Sequence, residues 1–577
     1  SLKHAMRTLY KRCVDLQSFA ALNYTATVKI LKKHDKLYPD LAVRDRVLPW
    51  VAALDFRQDS RLKDIKAELE ARFGEAFLDG DAEVAKTLLC MEKGKFTTLD
   101  MFHLGWRCGL ACALMLWIVW DVVIDGRTVH HEGHTHHRHT HNIFKDPIWH
   151  LYKATGALLL LLWCWGGLVY TWRSVGINWV DIMQVDRRLS MSHMQVFDEA
   201  SLCTIVYGGN FLLYYKVARN DTGFMDGLQN WVLPLLLLAF LCWRLIFPFG
   251  QRRAMLYTVV DVFLSPFAEV TFRHTFVADV ITSLVRVWTD FLLTACYFTS
   301  GDFQAEGAAQ MGPDSPSCGD GSLAKRVFIP IISVLPLWWR CMQCLRKNRE
   351  TGDRWPHQAN AFKYGLAQSV SIFALFNPSL SSGGESWAGV TWVLMFLIAT
   401  LYQFFWDVRC DWGLAQFLDA PDPQADGVLV RRRSPLLRER LMYARGKRDE
   451  WATLYYIAMV VDIVLRMTWT LSLVPTDADP FGVGLQEYLS PVFAMLEILR
   501  RSMWSLFRLE HEHLKLARTR ANEDGLDTVE VIVDAHTETS LPDDDVDDGR
   551  RRKSFLESIA FGLIVVAIAV VAALTKE

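Results

Sequence analysis

A chain of 577 residues that is 51% hydrophobic, with 22 Trp and 33 Phe, is too apolar and too segmented to be one soluble domain. Its net charge of -2 excludes a strongly basic nucleic-acid binder, because that class needs a clustered positive field rather than balanced charges. Most of the 12 cysteines fall in apolar or cytosolic segments and Cys318 stands alone in a predicted outer loop, so no disulfide framework is expected.

Residues 1–92 contain no long apolar run and read as helical, with heptad-like spacing in SLKHAMRTLYKRCVDLQSFAALNYTATVKILKKHDKL. Lys29, Lys32, Lys33 and Lys36 fall on one side of that helix, since 3.6 residues per turn brings i, i+3, i+4 and i+7 together. Four ammonium groups on one face make either a polyanion site or an ordinary solvated surface.

From residue 103 the pattern becomes apolar runs of about 20 residues, each able to span a ~30 Å hydrocarbon core. Ten are predicted, near 104–124, 148–171, 198–216, 229–249, 276–299, 327–345, 361–377, 387–408, 452–474 and 487–507, the third and seventh being shorter and more polar. Alternate loops carry Arg187, Arg188, Arg252, Arg253, Arg346, Lys347, Arg349, Arg354 and the run from Arg431 through Arg448. The loops near 378–386 and 475–486 carry no Lys or Arg, which places the amino terminus in the cytosol. One outward loop clusters His130, His131, His134, His136, His137, His139 and His141. Imidazoles at that density hold Zn²⁺ or Cu²⁺ or are simply a flexible polar loop, and no cysteine or spaced carboxylate set closes a tetrahedral shell. The pair Cys341 and Cys344 lies in an apolar helix without a redox context. An acidic linker follows over 516–554, and the apolar run at 559–574 is of marginal length for an eleventh span.

Several predicted spans carry charges: Asp279, Arg340, Lys363, Asp407, Asp462, Arg466, Glu497, Arg500 and Arg501. An arginine at the centre of a membrane helix costs roughly 3 kcal/mol on insertion scales, so such residues face a polar interior. One reading is an anion path. The other is a set of structural pairs, Asp462 with Arg466 and Glu497 with Arg500 or Arg501, at i, i+3 and i, i+4. Counting the helical rise puts Arg466 roughly 21 Å from the cytosolic end of its helix, and Arg500 and Arg501 about 20 Å from the outer end of theirs. That order predicts a vestibule narrowing toward Arg466, with Trp469 as a constriction or a packing residue.

The string KILKKHDK, following LNYTATV, resembles the last long helix of the SPX domain, a helical module that binds inositol polyphosphates and pyrophosphates. WPHQANAFKYG, FFWDVRCDWGL, DIVLRMTW and LEILRRSMWSLFRLEHEHL resemble the EXS domain, and the combination is similar to the SPX-EXS phosphate exporters of animals and plants. The resemblance implies an all-α polytopic membrane protein with a partial amino-terminal SPX domain over 1–92, trimmed at its start. Helices over 93–330, the EXS domain over 331–515 and a closing apolar helix over 555–577 would follow. It implies that the chain is not an enzyme and takes no cofactor beyond an inositol polyphosphate or pyrophosphate regulator on Lys29, Lys32, Lys33 and Lys36. Inorganic phosphate would be the substrate, and the partners would be membrane lipid and a second copy of the chain. The phosphate path it implies uses Asp279, Thr282, Ser283, Arg340, Lys363, Tyr364, Asp407, Arg466, Glu497, Arg500 and Arg501, with Trp469 as the gate. Animal members carry Asn where this chain has Thr282, and Val285 offers no polar atom one turn on. The membrane would be the plasma membrane or an endomembrane. The alternative is a non-transporting sensor or protein-sorting factor with the same domains.

Overall fold

The computed structural model describes residues 2–38, 43–54, 60–77, 98–121, 146–185, 190–218, 231–247, 249–304, 317–319, 321–376, 387–415, 441–443, 448–467 and 485–524, with a few isolated positions besides. Every described element is helical, and no strand occurs among these residues. The His-rich loop, Trp469, the linker beyond Asp524 and the closing apolar run lie outside them, while residues 516–524, expected to open the linker, are the end of a helix. The chain divides into two compact units.

The first unit comprises Ser1–Lys95, Thr171–Asp181 and Glu512–Gly549. It contains α1 (Leu2–Leu37), α2 (Val43–Ala52) and α3 (Ser60–Phe77). Tyr10 and Phe73, both 0% exposed, bury the face that α1 shares with α3, and Ala85 and Leu89 close that core. Polar bonds lock the same seam: the Tyr10 hydroxyl donates to Glu70 at 2.6 Å, and the Lys66 ammonium to Gln17 at 2.7 Å. Asp35 has a structural task within KILKKHDK. Its carboxylate accepts the backbone N–H groups of Val43 at 3.0 Å and Arg44 at 2.9 Å, capping the first turn of α2. Those bonds, the one from Arg44 foremost, hold its carboxyl below the ordinary carboxylate range. α1 runs unbroken through the lysine motif, and Lys32 and Lys33 are exposed on it.

The second unit comprises Phe96–Tyr170, Ile182–His511 and Arg550–Glu577. The helices that follow in the chain are α4 (Thr98–Val119), α5 (Trp149–Val175), whose end from Thr171 belongs to the first unit, the short α6 (Trp179–Ile182), which belongs to the first unit up to Asp181, α7 (His193–Ala218), α8 (Val232–Ile246), α9 (Phe249–Phe263), α10 (Phe272–Thr282) and α11 (Val285–Ser300). They continue with α12 (Ile329–Thr351), α13 (His357–Phe376), α14 (Trp387–Trp406), α15 (Arg448–Arg466) and α16 (Leu485–Asp524). Among the described residues, four stretches are long and apolar enough to cross a membrane: Asp100–Val119, Trp149–Val175, Ala324–Thr351 and Gly389–Asp411. Leu394, Ile398 and Leu401 on α14 and Val460 and Val464 on α15 are exposed, which is the outward apolar face expected of helices in lipid rather than water.

Each of the ten predicted runs holds helix, with two differences. The run at 276–299 is broken: α10 ends at Thr282 and α11 begins at Val285, the turn between them closed by Ser283 N–H to Val280 and Leu284 N–H to Ile281, both at 3.0 Å. In the ninth run the described helix ends at Arg466. The packing that positions the site is local. Val262 of α9, Ala278 and Ile281 of α10 and Trp339 of α12 form one cluster. Cys341 and Cys344 pack against Ala361 and Tyr364 and join α12 to α13. Val287 of α11, Ala154 and Ala157 of α5 and Ile498 of α16 form another. A Cβ on Gly208 of α7 would meet Leu114 of α4 at 3.2 Å, so that close crossing requires the glycine.

The cysteine expectation needs one correction. Cys296, near the end of α11, is disulfide-bonded to Cys318, 22 residues on. Assigning Cys296 to an apolar run hid it as a partner, although a helix end and its following loop lie side by side. Cys341 and Cys344 are free and buried.

Candidate functional site

Within the second unit, α10, α12, α13, α14, α15 and α16 bring Arg340, Lys363, Arg466, Arg500 and Arg501 together with Asp279, Asp407, Asp411, Asp462 and Glu497 in buried or half-buried positions. Arg340 of α12 is 4% exposed, and its Nε lies 2.6 Å from the Asp279 carboxylate of α10. The Tyr364 hydroxyl of α13 donates to the same oxygen at 2.6 Å and accepts from Arg340 Nε at 3.2 Å. Gln343, one turn along α12, accepts from Arg340 Nη1 at 2.7 Å and donates to Ser265 at 3.0 Å, which fixes the guanidinium plane. Arginine, carboxylate and phenol therefore form one closed set.

A second set shares carboxylates among three helices. Arg466 donates from Nε to Asp462 at 3.0 Å, from Nη1 to Gln403 at 2.9 Å, and from Nη2 to Asp407. Arg500 holds Glu497 through Nη2 at 2.6 Å and Nε at 2.8 Å, and its Nη1 reaches Asp462 at 3.1 Å and Asp407 at 3.6 Å. The helical pairs predicted from spacing form, but each arginine also reaches across helices. Arg466 and Arg500 consequently meet on Asp462 and Asp407 at one level, where counting from assumed helix ends separated them by depth. The reason is that α15 begins at Arg448 and α16 runs on to Asp524, so the assumed ends were not the real ones.

The backbone aids this convergence. After Trp406, α14 passes into a π turn over Asp407–Asp411, closed by the Trp412 N–H to the Asp407 carbonyl at 2.8 Å. The added residue in that turn lets Asp407 face Arg466 and Arg500 while Asp411 accepts the Trp504 indole N–H at 3.1 Å. Gly413 follows with φ of 62° and lies against the His511 ring, so neither the left-handed backbone nor the space admits a Cβ. Gly413→Ala is expected to cost about 1–2 kcal/mol from the backbone alone. A lowered melting temperature in detergent checks it.

Two cations differ from the rest. Lys363 is 6% exposed, with its ammonium 4.4 Å from the Tyr364 ring centre and 5.1 Å from that of Trp406. Arg501 donates from Nε to Ser283 at 2.8 Å and stacks 4.7 Å over Trp504. Among the described residues neither forms an ion pair. Ser283 sits in the break between α10 and α11, and Thr282 beside it donates to its own helix at the Asp279 carbonyl, 2.7 Å away. Cations near carboxylates but not in direct contact with one, beside aromatic faces and a hydroxyl, are a binding chemistry for an oxyanion.

The sequence reading missed several polar residues of the spans: Gln343, Gln403, Asp411, Arg286, Asp290, Lys153 and His150. Charge inside an apolar run was the available signal for Arg286 and Asp290, whereas the two glutamines carry none.

Fold and site together define a helical membrane protein with a charged interior. Residues 148–514 match the model of the EXS family, and the chain belongs to that family. It is 30% identical over 524 residues to SPX and EXS domain-containing protein 1 of Dictyostelium discoideum, covering 89% of this chain and 52% of that protein. It is 27% identical over 530 residues to solute carrier family 53 member 1 of Homo sapiens, covering 89% of this chain and 70% of that one. It is also 27% identical over 521 residues to the xenotropic and polytropic retrovirus receptor 1 homolog of Xenopus laevis, with the same two shares. The chain thus spans about half the length of the first of these relatives.

Proposed function

We propose that the chain carries inorganic phosphate across a membrane, from the cytosol outward, through the interior network of its EXS helices. The observation that supports this most directly is the pair of cations, Lys363 and Arg501, held in that network without an ion-pair partner among the described residues. A buried charge without a direct ion pair is costly, and a site that exchanges an anion gives it a reason. The neighbouring carboxylates offset much of the cationic charge and keep the total field modest, and a modest field lets a bound anion leave. A human relative named as a solute carrier agrees with the transport class. The direction rests on Lys- and Arg-rich loops at one set of helix ends and on the Cys296–Cys318 disulfide at the end of α11, because disulfides persist in oxidising compartments.

In the same reading, inositol polyphosphate or pyrophosphate binds the lysine side of α1, with Lys32 and Lys33 exposed to it, and shifts the protein toward a conducting state. Phosphate efflux from loaded liposomes is expected to rise several-fold when the pyrophosphate is added, and Lys32→Ala with Lys33→Ala to blunt that rise. Flux that ignores the ligand removes the regulatory part. A second reading, a sensor that does not transport, is favoured by the extensive pairing of Arg340, Arg466 and Arg500 with carboxylates, which is also how a structural network looks. It requires ligand binding without flux in the same liposomes.

A further inference from the structure

A polar stripe continues past the network. Asp279 stands near the end of α10, Ser283 lies in the break, and Arg286 and Asp290, four residues apart, share one side of α11. Its first part belongs to the network, through Arg340 on Asp279 and Arg501 on Ser283. Its second part runs toward the Cys296–Cys318 end.

Arg286 is exposed, and its guanidinium carbon lies 5.4 Å from the centre of the Phe493 ring on α16, one turn before Glu497. Among the described residues it makes no hydrogen bond or ion pair. On the same helix Val287 is buried against α5, so Arg286 points away from that packing and toward the side where α16 carries Glu497 and Arg500. The charges that act on it are the carboxylates of Asp290 and Glu497, neither at ion-pair distance; an arginine in an apolar span is costly in lipid, which leaves a polar interior as its surroundings.

One turn further, Asp290 takes Lys153 Nζ at 2.9 Å and His150 Nδ1 at 2.6 Å, both from the start of α5, with all three side chains between 10% and 14% exposed. The carboxylate holds the Lys153 ammonium in a fixed place but uses only part of its donor capacity, since an ammonium has three N–H groups. A planar guanidinium and a positioned ammonium on neighbouring turns are complementary to a tetrahedral oxyanion.

We propose that Arg286, with Lys153 positioned by Asp290, forms a second oxyanion subsite, which phosphate occupies after leaving the inner network and before release at the Cys296–Cys318 end. The proposal rests on the transport reading and adds to it a place where selectivity is exercised on the exit side. Arg286 is the specificity-determining residue there.

The test is phosphate flux in proteoliposomes of uniform orientation, with the half-saturating concentration measured separately at each membrane face. Arg286→Gln is expected to raise that value about tenfold at the Cys296–Cys318 face, the loss of one charge-assisted contact, and to leave the opposite face unchanged. Arg286→Lys should restore most of it, and Lys153→Gln should shift the same face less. Unchanged values at both faces, or equal shifts at both, overturn the subsite. If wild-type vesicles show no flux, the transport reading falls and this proposal with it; wild-type flux beside an unaltered Arg286→Gln removes the subsite alone.

Discussion

Lys363→Met is expected to lower phosphate flux at least tenfold while lowering the thermal midpoint only modestly. Methionine keeps the length and most of the volume of the stem, so packing against Tyr364 and Trp406 survives. What disappears is a charge that has no ion pair among the described residues and is 6% exposed. In a purely structural network its removal relieves a desolvation cost but loses two cation–π contacts and part of the charge that compensates Asp411, Asp407 and Asp279, and it leaves flux unchanged. If it holds the anion, flux falls by the worth of a charged contact, on the order of 1.5–3 kcal/mol, or more where the anion loses its principal cation. Parallel measurement of efflux and melting separates the two: undiminished flux in a folded Lys363→Met protein removes this lysine from the path.

How much of this was legible in the sequence depends on the kind of contact. Apolar runs found the helices, because length and hydropathy are what a bilayer selects. Contacts within one helix were also legible: Asp462 with Arg466 and Glu497 with Arg500 both form as the i, i+4 and i, i+3 spacing predicts. Contacts between helices were not. Nothing in the spacing says that Asp407 of α14 meets Arg466 of α15, or that Asp279 of α10 meets Arg340 of α12. Those pairings depend on packing by residues such as Val262, Trp339 and Ala278, which read only as hydrophobic.

Local backbone departures were harder still. The break after Thr282 occurs in ITSLV, which contains neither glycine nor proline, and the π turn at Asp407–Asp411 has no sequence sign of its own. Both lie where polar side chains must leave the regular spacing of a straight helix. Asp35 shows the converse. It sits inside the lysine motif and looks like part of the ligand face, yet its carboxylate is spent on the backbone of α2.

Arg500→Met tests the other half of the network, and a large loss of stability is expected. Arg500 is 3% exposed and touches Glu497, Asp462 and Asp407. Asp462 is 0% exposed and Asp407 is 2% exposed, so without Arg500 the ion pair to Arg466 is the direct one left to each. Removing one partner of a buried ion pair costs about 3–5 kcal/mol, mainly because the remaining charge stays buried without compensation. The variant should therefore melt well below wild type. Its loss of flux would say little, since the helices that shape the path are no longer held. The informative comparison is Arg500→Met combined with Asp462→Asn. Neutralising the orphaned carboxylate should recover on the order of 1–3 kcal/mol of the loss, a coupling expected of residues in direct contact. Melting curves for the two single variants and the double close the cycle, and additive losses would show that Asp462 does not depend on Arg500. A recovered fold without recovered flux would then place Arg500 itself on the anion's route. Recovery of both would make it a brace between α15 and α16, leaving Lys363 and Arg501 as the cations that meet phosphate.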